Sequence, residues 1–258
     1  MESYQKRCAR SKNPVQKKLG QIIEAKQSNL CLSADVKDKT ELLKLADALG
    51  PELCMLKTHI DIITDFNGAE ELMHFCQELT ALAEKHQFIV FEDRKFMDIG
   101  NTVASQYGGG FYRIADWAEV VNAVILSGPG IIKGLAEVGQ PKNRALLILA
   151  EMSPAGNLAT GDYTRRALEY AELAPDFVIG FISNGMPRHK HYLNCFPGVK
   201  LGGGSDKLGQ SYTTPEQAIV EKNGDIIIVG RGIIHAEQPV ATAQAYRKCA
   251  WEGYLSCL

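Results

Sequence analysis

Residues 88–95 read Phe-Ile-Val-Phe-Glu-Asp-Arg-Lys, a short apolar run that passes directly into four charged side chains. Consecutive apolar positions over such a short length are typical of a strand buried on both faces, as in a parallel sheet. Comparable runs recur along the chain and predict eight buried strands. The runs are residues 29–32, 53–56, 88–91, 120–126, 145–150, 177–182, 192–199 and 226–229.

Helix signals fill the segments between these runs. Apolar residues recur with helical spacing over 42–49, and Thr-Pro-Glu-Gln at 214–217 combines an N-cap, a proline at the first helical position and a capping-box glutamine. A last helix is predicted from about residue 239 to 254, and an extra helix around 15–23 precedes the first strand. The sixth helix is the weakest prediction because residues 184–191 leave little room for one.

Eight strands alternating with helices predict an α/β protein, a (β/α)8 TIM barrel forming one domain over residues 14–258. The 258-residue chain has the length that such barrels commonly have. A doubly wound sheet is the structural alternative, with Gly128-Pro-Gly130 as a dinucleotide-binding loop. That loop fits poorly because its third glycine falls at residue 134, which is not the position that the motif requires.

Composition narrows the function classes. The net charge is −2, which argues against a nucleic-acid partner, and no apolar run is long enough to span a membrane. Residues 1–18 hold six basic side chains and one acid, so we expect a solvated basic leader, with residues 1–13 outside the barrel domain. The seven cysteines show no metal-binding spacing and predict a reducing, cytoplasmic location without structural disulfides.

Ionisable or hydroxyl side chains follow five of the eight predicted strands. In a barrel all the strands end at the same face, and the chemistry of the fold takes place there. We therefore expect these side chains to line one cavity mouth. They are Ser33 and Asp35, Lys57 and His59, Glu92 to Lys95, Glu151 and Ser153, and Arg231.

The group after the third strand is the most informative one. Side chains alternate along a strand, so Asp93 and Lys95 are expected on one face, with Asp98 three residues later and Lys57 on the neighbouring strand. Together they form an array of two ammonium and two carboxylate groups. A salt-bridge network on the barrel rim is the structural interpretation. Interior charges are costly, however, so four together favour a catalytic use.

A second group surrounds the last two strands, where barrels often bind phosphate. The glycines at 202–204, Gln210, Tyr212, Gly230 and Arg231 lie there. Backbone amides of glycine-rich turns and a guanidinium together suit a phosphate dianion. This coincidence predicts a phosphate site.

Residues 91–102, Phe-Glu-Asp-Arg-Lys-Phe-Met-Asp-Ile-Gly-Asn-Thr, resemble the Asp-x-Lys-x-x-Asp signature of the orotidine 5′-phosphate decarboxylase family. The resemblance extends over nearly the whole chain from about residue 14, and it is nearest to the decarboxylase half of the bifunctional UMP synthases of animals. From it we expect residues 1–13 to be the remnant of a linker. Further matching blocks lie at 30–35, 55–59, 150–153, 197–199, 208–212 and 229–232.

The resemblance implies a cofactor-free and metal-free decarboxylase acting on a small nucleotide, orotidine 5′-monophosphate. It implies that Lys95 protonates C6 of the pyrimidine as CO2 leaves, and that Asp93 lies beside the departing carboxylate. It also implies a homodimer in which Asp98 and Thr102 reach the active site of the neighbouring subunit. The remaining implied contacts are Ser33 and Ser153 to the base, Asp35 and Lys57 to the ribose, and Gln210, Tyr212, Gly230 and Arg231 to the phosphate.

Two residues depart from the family pattern, and three other functions stay open. Met97 stands where a small residue is expected, and Phe196 stands where threonine usually precedes Pro-Gly-Val. The nearest alternative is a metal-dependent sugar-phosphate synthase or epimerase with a similar motif. A Schiff-base aldolase using Lys57 or Lys95, and a barrel that binds nucleotides without catalysis, are the others.

Overall fold

The computed structural model describes residues 1–205 and 211–258. In these residues eight parallel strands close a barrel in the order β1-β10-β7-β6-β5-β4-β3-β2, while β8 and β9 form a small antiparallel pair. The TIM barrel predicted from the sequence is confirmed. The strands are β1 (Leu30–Ser33), β2 (Met55–Thr58), β3 (Ile89–Phe96), β4 (Val120–Ala123), β5 (Ala145–Leu149), β6 (Val178–Ile182), β7 (Leu193–Phe196), β8 (Gly204–Ser205), β9 (Ser211–Tyr212) and β10 (Ile226–Val229).

Helices connect most of the strands and cover the outside of the barrel. The helices are α1 (Tyr4–Ala9), α2 (Pro14–Lys26), α3 (Lys39–Leu49), α4 (Ala69–His86), α5 (Gly100–Gly108), α6 (Gly130–Gly139), α7 (Asp162–Ala171), α8 (Arg231–Ile234) and α9 (Pro239–Leu255). The extra helix before β1 and the last helix are therefore present as predicted. Between β6 and β7 the described chain forms no helix, which agrees with the weak signal there.

Capping explains where two of these segments begin. The side chain of Asn13 accepts hydrogen bonds from the backbone N–H groups of Val15 and Gln16, and Pro14 occupies the first helical position of α2. The Thr214 side chain accepts from the N–H of Gln217, whose side chain in turn accepts from the N–H of Thr214. This predicted capping box opens only a short π-helical turn, Gln217–Glu221.

Helices α5 and α6 pack with their backbones in contact. A Cβ atom added at Gly134 of α6 would lie 2.2 Å from the carbonyl oxygen of Gly100 in α5. Only glycine permits so close an approach. This contact fixes the start of α5, directly after the charged segment that ends β3.

The N-terminal segment differs from the expected solvated leader. Tyr4, Arg7 and Cys8 share one face of α1 and are buried against the barrel. The guanidinium of Arg7 donates to both oxygens of the fully buried Asp225, at 2.6 and 3.0 Å. The expectation of a solvated leader is therefore wrong for α1. Its apolar face is buried, and its Arg7 forms an ion pair with Asp225.

Two further expectations concern membrane-spanning segments and the state of the cysteines. In the described residues no helix combines the length and apolar character that crossing a bilayer requires. All seven cysteines are free thiols, and five of them are buried among apolar side chains.

Candidate active site

A cavity of about 530 Å³ opens at the carboxyl ends of the barrel strands. It brings together most of the residues that the sequence predicted for the site. Asp98 and Thr102 are not among the described residues that line it, and Gln210 lies outside the described residues. The predicted residues in its lining are Ser33, Asp35, Lys57, His59, Asp93, Lys95, Glu151, Ser153, Tyr212, Gly230 and Arg231.

A chain of alternating charges runs along one wall of the cavity. The Nζ of Lys57 lies 3.0 Å from Oδ1 of Asp35 and 3.0 Å from Oδ2 of Asp93. The other oxygen of Asp93 lies 2.6 Å from Nζ of Lys95. Each carboxylate oxygen of Asp93 thus faces a different ammonium group, so the carboxylate links two lysines of different exposure. The side chain of Lys57 is 6% exposed, whereas that of Lys95 is 39% exposed and open to the cavity.

The electrostatic environment keeps Lys57, Asp93 and Asp35 ionised. Burial opposes the charge of Lys57, but Asp93 and Asp35 outweigh it and raise the pKa of Lys57 above its ordinary value. Burial likewise opposes ionisation of Asp93, yet Lys57, His59 and Lys95 hold its pKa well below the usual range. For Asp35, too, Lys57 outweighs burial and lowers the pKa. Lys57 is therefore an ammonium and both aspartates are carboxylates at neutral pH.

A bulge in β3 carries Asp93 and Lys95 into the cavity. Glu92 pairs with Val121 of β4, and Phe96 pairs with Ala123. Three residues of β3, Asp93 to Lys95, therefore lie opposite a single residue of β4. Lys95 has a φ of +49°, which is the left-handed region. The prediction that Asp93 and Lys95 would lie close together is correct, but the simple strand alternation behind it is interrupted by this bulge.

Two further residues complete this wall: His59, which the sequence placed at the cavity mouth without a role, and Asn122, which sequence reasoning missed. His59 follows β2, and its Nε2 lies 3.2 Å from Oδ2 of Asp93. Asn122 of β4 is 1% exposed, and its side-chain amide hydrogen-bonds both Asp93 and the backbone of Lys95. A lone amide side chain within an otherwise apolar strand was the available signal for Asn122.

The part of the cavity where the sequence predicted a phosphate site contains basic side chains. The Nη2 of Arg231 donates to the hydroxyl of Tyr212 at 2.5 Å, and its guanidinium lies over the same ring. Lys200, which was not predicted, places its ammonium 5.7 Å from the centre of the Tyr212 ring on the same cavity. Two cations and a phenol hydroxyl thus meet at one part of the lining and can bind an anion.

Asp98 and Thr102 lie apart from this wall. The Asp98 side chain is exposed and accepts a hydrogen bond from the N–H of Ile99, and Thr102 lies half-buried on α5. The array of four charges expected from the spacing is thus present without Asp98. Within the described residues, Asp35 stands beside Lys57, Asp93 and Lys95 instead. Of the two departures from the family pattern, Met97 is 56% exposed beside Asp98, and Phe196 is fully buried in β7.

One group near the site has the composition of a metal site. His59, Asp61 and Glu92 bring three potential ligand atoms within 4.8 Å of one another. Both oxygens of Glu92, however, accept hydrogen bonds, from the hydroxyl of Thr58 and the N–H of Ile60. Burial also raises the pKa of Glu92 to about 8, which favours a protonated carboxyl that binds metals poorly. The donor set therefore does not fit a metal ion.

Known sequences similar to this chain are named as orotidine 5′-phosphate decarboxylases or as a uridine 5′-monophosphate synthase. Orotidine 5′-phosphate decarboxylase of Schizosaccharomyces pombe is 47% identical over 98% of the chain and 95% of the relative. The enzyme of the same name from Rhizopus oryzae is 48% identical over 99% and 96%. Uridine 5′-monophosphate synthase of Bos taurus is 52% identical over 95% of the chain, which spans half the length of that protein.

Solved structures show the same fold. The orotidine 5′-monophosphate decarboxylase of Methanocaldococcus jannaschii, complexed with the inhibitor BMP, matches with a TM-score of 0.62 at 18% identity, covering 86% of this chain and 97% of that one. The Pyrococcus horikoshii enzyme matches equally well at 22% identity, covering 86% of this chain and 98% of that one. The model of the orotidine 5′-phosphate decarboxylase / HUMPS family matches residues 28–246. The chain therefore belongs to the orotidine 5′-phosphate decarboxylase / HUMPS family.

Proposed function

We propose that the chain converts orotidine 5′-monophosphate to uridine 5′-monophosphate and CO2, the last step of de novo pyrimidine nucleotide synthesis, without a cofactor or a metal ion. Family membership and the names of its relatives support the reaction. The observation that carries the proposal is the Lys57–Asp93–Lys95 chain on the cavity wall. A charge-paired ammonium group on the cavity wall supports a role for Lys95 in stabilising carbanion character at C6.

The chemical step needs a stabiliser for an electron pair. When the bond from C6 to the carboxylate breaks, CO2 leaves and both electrons stay on a ring carbon that cannot readily delocalise them. Many decarboxylases use a cofactor as the electron sink for this purpose. Here the ammonium of Lys95 stabilises the developing charge and donates its proton to C6, and the resulting neutral amine takes a proton from solvent.

Asp93 acts on this step through Lys95. Its Oδ1 lies 2.6 Å from Nζ of Lys95 and holds the ammonium group of that lysine by a charge-assisted hydrogen bond. Lys57, bound to the opposite oxygen, keeps Asp93 ionised. The proton donor is thereby oriented before substrate arrives, and no reorganisation is needed during the reaction.

The remaining predicted contacts position the nucleotide. Ser33 and Ser153 bind the base, and Asp35 with Lys57 binds the ribose. Tyr212, Gly230 and Arg231 bind the phosphate together with Gln210, which lies outside the described residues. The phosphate is remote from C6, so its binding energy can support the reaction only by orienting the substrate and assembling the site.

The proposed assembly is a homodimer in the cytoplasm with shared active sites. Asp98 and Thr102 of one subunit reach the cavity of the other. The exposed apolar side chains of Met97, Ile99 and Leu126 support this proposal, since they surround the Asp98 segment with surface that a partner subunit can bury. The exposed Asp98 carboxylate, which is not part of the lining in its own chain, supports it too.

The decisive assay follows the loss of orotidine 5′-monophosphate absorbance in enzyme dialysed against EDTA. Undiminished activity is expected, whereas a loss of activity that a divalent metal restores would favour the metal-dependent sugar-phosphate synthase or epimerase.

Lys95→Ala should abolish turnover while still binding uridine 5′-monophosphate. Arg94→Ala is the matched control, because this neighbouring cation lies over the ring of Phe96 and outside the described lining. Equal activity of both variants would refute the role of Lys95.

Two further variants test the phosphate site and the dimer. Arg231→Ala should weaken binding of the nucleotide far more than binding of uridine, and equal losses would remove Arg231 from the phosphate site. Asp98→Ala and Lys95→Ala subunits, each inactive, should regain part of the activity when mixed into heterodimers. Heterodimers that stay inactive would argue against a shared site.

A further inference from the structure

Asn122 is the single residue of β4 opposite the bulge of β3. The register runs from the Glu92–Val121 pair to the Phe96–Ala123 pair, so three residues of β3 face one residue of β4. Asn122 is 1% exposed on a strand whose other residues are apolar. A buried amide needs hydrogen-bond partners, and here both partners belong to the charged wall of the cavity.

The two hydrogen bonds of Asn122 fix opposite ends of the bulge. Its Nδ2 donates to Oδ1 of Asp93 at 2.6 Å, and its Oδ1 accepts from the backbone N–H of Lys95 at 2.7 Å. The orientation of the amide follows from chemistry. A backbone N–H can only donate and an ionised carboxylate can only accept, so the amide oxygen must face Lys95 and the amide nitrogen must face Asp93.

These contacts determine how Asp93 presents its two oxygens. Asn122 and the ammonium of Lys95 share Oδ1, at 2.6 Å each. The other oxygen remains for Lys57 at 3.0 Å and for Nε2 of His59 at 3.2 Å. Without the amide, nothing else among these contacts holds the carboxylate plane on the Lys95 side except the flexible lysine itself.

The second contact holds an unfavourable backbone conformation. Lys95 has a φ of +49°, a region that side chains other than glycine enter at a cost of about 1 kcal/mol or more. Its N–H has no strand partner within the bulge and donates to Asn122 instead. The amide therefore compensates the break in the ladder that points the Lys95 side chain into the cavity.

From this geometry we propose that Asn122 is a positioning residue, which sets the direction of the Lys95 ammonium by binding Asp93 and the Lys95 backbone together. The inference rests on the proposed decarboxylase function for its kinetic readout. Its structural content, the coupling of one amide to two elements of the bulge, does not depend on that function.

The kinetic test compares Asn122→Ala and Asn122→Asp with the wild-type chain. Both should lower kcat roughly 10- to 100-fold, the cost of misplacing a reacting group by about 1 Å, with affinity for uridine 5′-monophosphate within about threefold. Asn122→Asp keeps the acceptor for Lys95 but puts a carboxylate against Asp93, so it should show the larger loss. In both variants the acidic limb of the kcat profile should move to higher pH, because ionised Asp93 loses a hydrogen bond.

Asn194→Ala supplies the matched control. Asn194 is equally buried in β7 and donates to the carbonyl oxygens of Met186 and Asn223, away from the described lining of the cavity. Its loss should lower stability without moving the pH profile or kcat. Equal kcat losses for the Asn122 and Asn194 variants, with an unmoved acidic limb, would overturn the inference.

A crystal structure of Asn122→Ala gives a second test that needs no activity. We expect the φ of Lys95 to leave the left-handed region or the Asp93 carboxylate to rotate away from Lys95. An unchanged bulge and carboxylate would refute the positioning role. A wild-type chain that fails to decarboxylate orotidine 5′-monophosphate would instead refute the proposed function, and this crystallographic comparison would still decide the inference.

Discussion

Replacing Glu92 with glutamine should change how the stability of the protein depends on pH. Glu92 has no exposed surface, and burial raises its pKa to about 8, although hydrogen bonds from Thr58 and Ile60 act in the opposite direction. An unfolded glutamate has a pKa of about 4.3. Between these two values the unfolded chain releases a proton that the folded chain keeps, so stability falls as pH rises.

The magnitude follows from the difference between the two pKa values. Each pH unit within that window costs about 1.4 kcal/mol, so the wild type should lose roughly 4 kcal/mol relative to Glu92→Gln between pH 5 and pH 8.5. Glutamine resembles the protonated carboxyl and does not titrate. Its oxygen can accept from Ile60 and its NH2 can donate to the Thr58 hydroxyl.

The assay is urea unfolding of both proteins at equal subunit concentration, at several pH values from 5 to 8.5. Comparing the two proteins cancels the contribution of other groups, such as His191, whose pKa burial lowers. The lowered pKa values of Asp35 and Asp93 act below this window, so their contribution is constant within it. Glu84→Gln, the same change at an exposed position of α4, should leave the pH dependence unaltered. A stability difference between wild type and Glu92→Gln that does not vary with pH would refute the reasoning.

Two other substitutions test features of the fold, each with a control close by in the sequence. Arg7→Met should reduce the free energy of unfolding by about 1.5–3 kcal/mol, because the buried Asp225 loses one of its two guanidinium partners and keeps only Arg188 at 3.2 Å. Arg10→Met, at an exposed ion pair, should change it little. Equal urea midpoints would contradict the burial of α1. Gly134→Ala should reduce the free energy of unfolding by about 1–3 kcal/mol, because the added methyl group forces α6 away from the carbonyl of Gly100. Gly130→Ala should be tolerated, because a methyl group there meets open space. Thermal unfolding measures both, and equal melting temperatures would speak against the close contact.

The fold could be predicted from local patterns because each strand is buried on both faces. An apolar run such as residues 145–150 needs no knowledge of its neighbours to be recognised, and every one of the eight runs overlaps a barrel strand. The charged residues of the site were likewise visible as interruptions at the ends of those runs. Their meeting in one cavity follows from the parallel topology alone.

Features that depend on pairing between distant segments could not be predicted in the same way. The bulge at Asp93 to Lys95 is a matter of register between β3 and β4, and neither strand alone reveals it. The burial of α1 depends on Asp225, more than two hundred residues away in the sequence. Asn122 was visible as a polar residue in an apolar run, but its role depends on the bulge opposite.

The left-handed backbone at Lys95 implies a conflict between stability and function at one position. Glycine would adopt this conformation without strain, so Lys95→Gly should fold more stably than Lys95→Ala, although both lack the ammonium group. Selection for stability alone would thus favour glycine at residue 95. The proposed chemistry depends on the ammonium group of a lysine there, and engineering that scores the fold alone would remove this group.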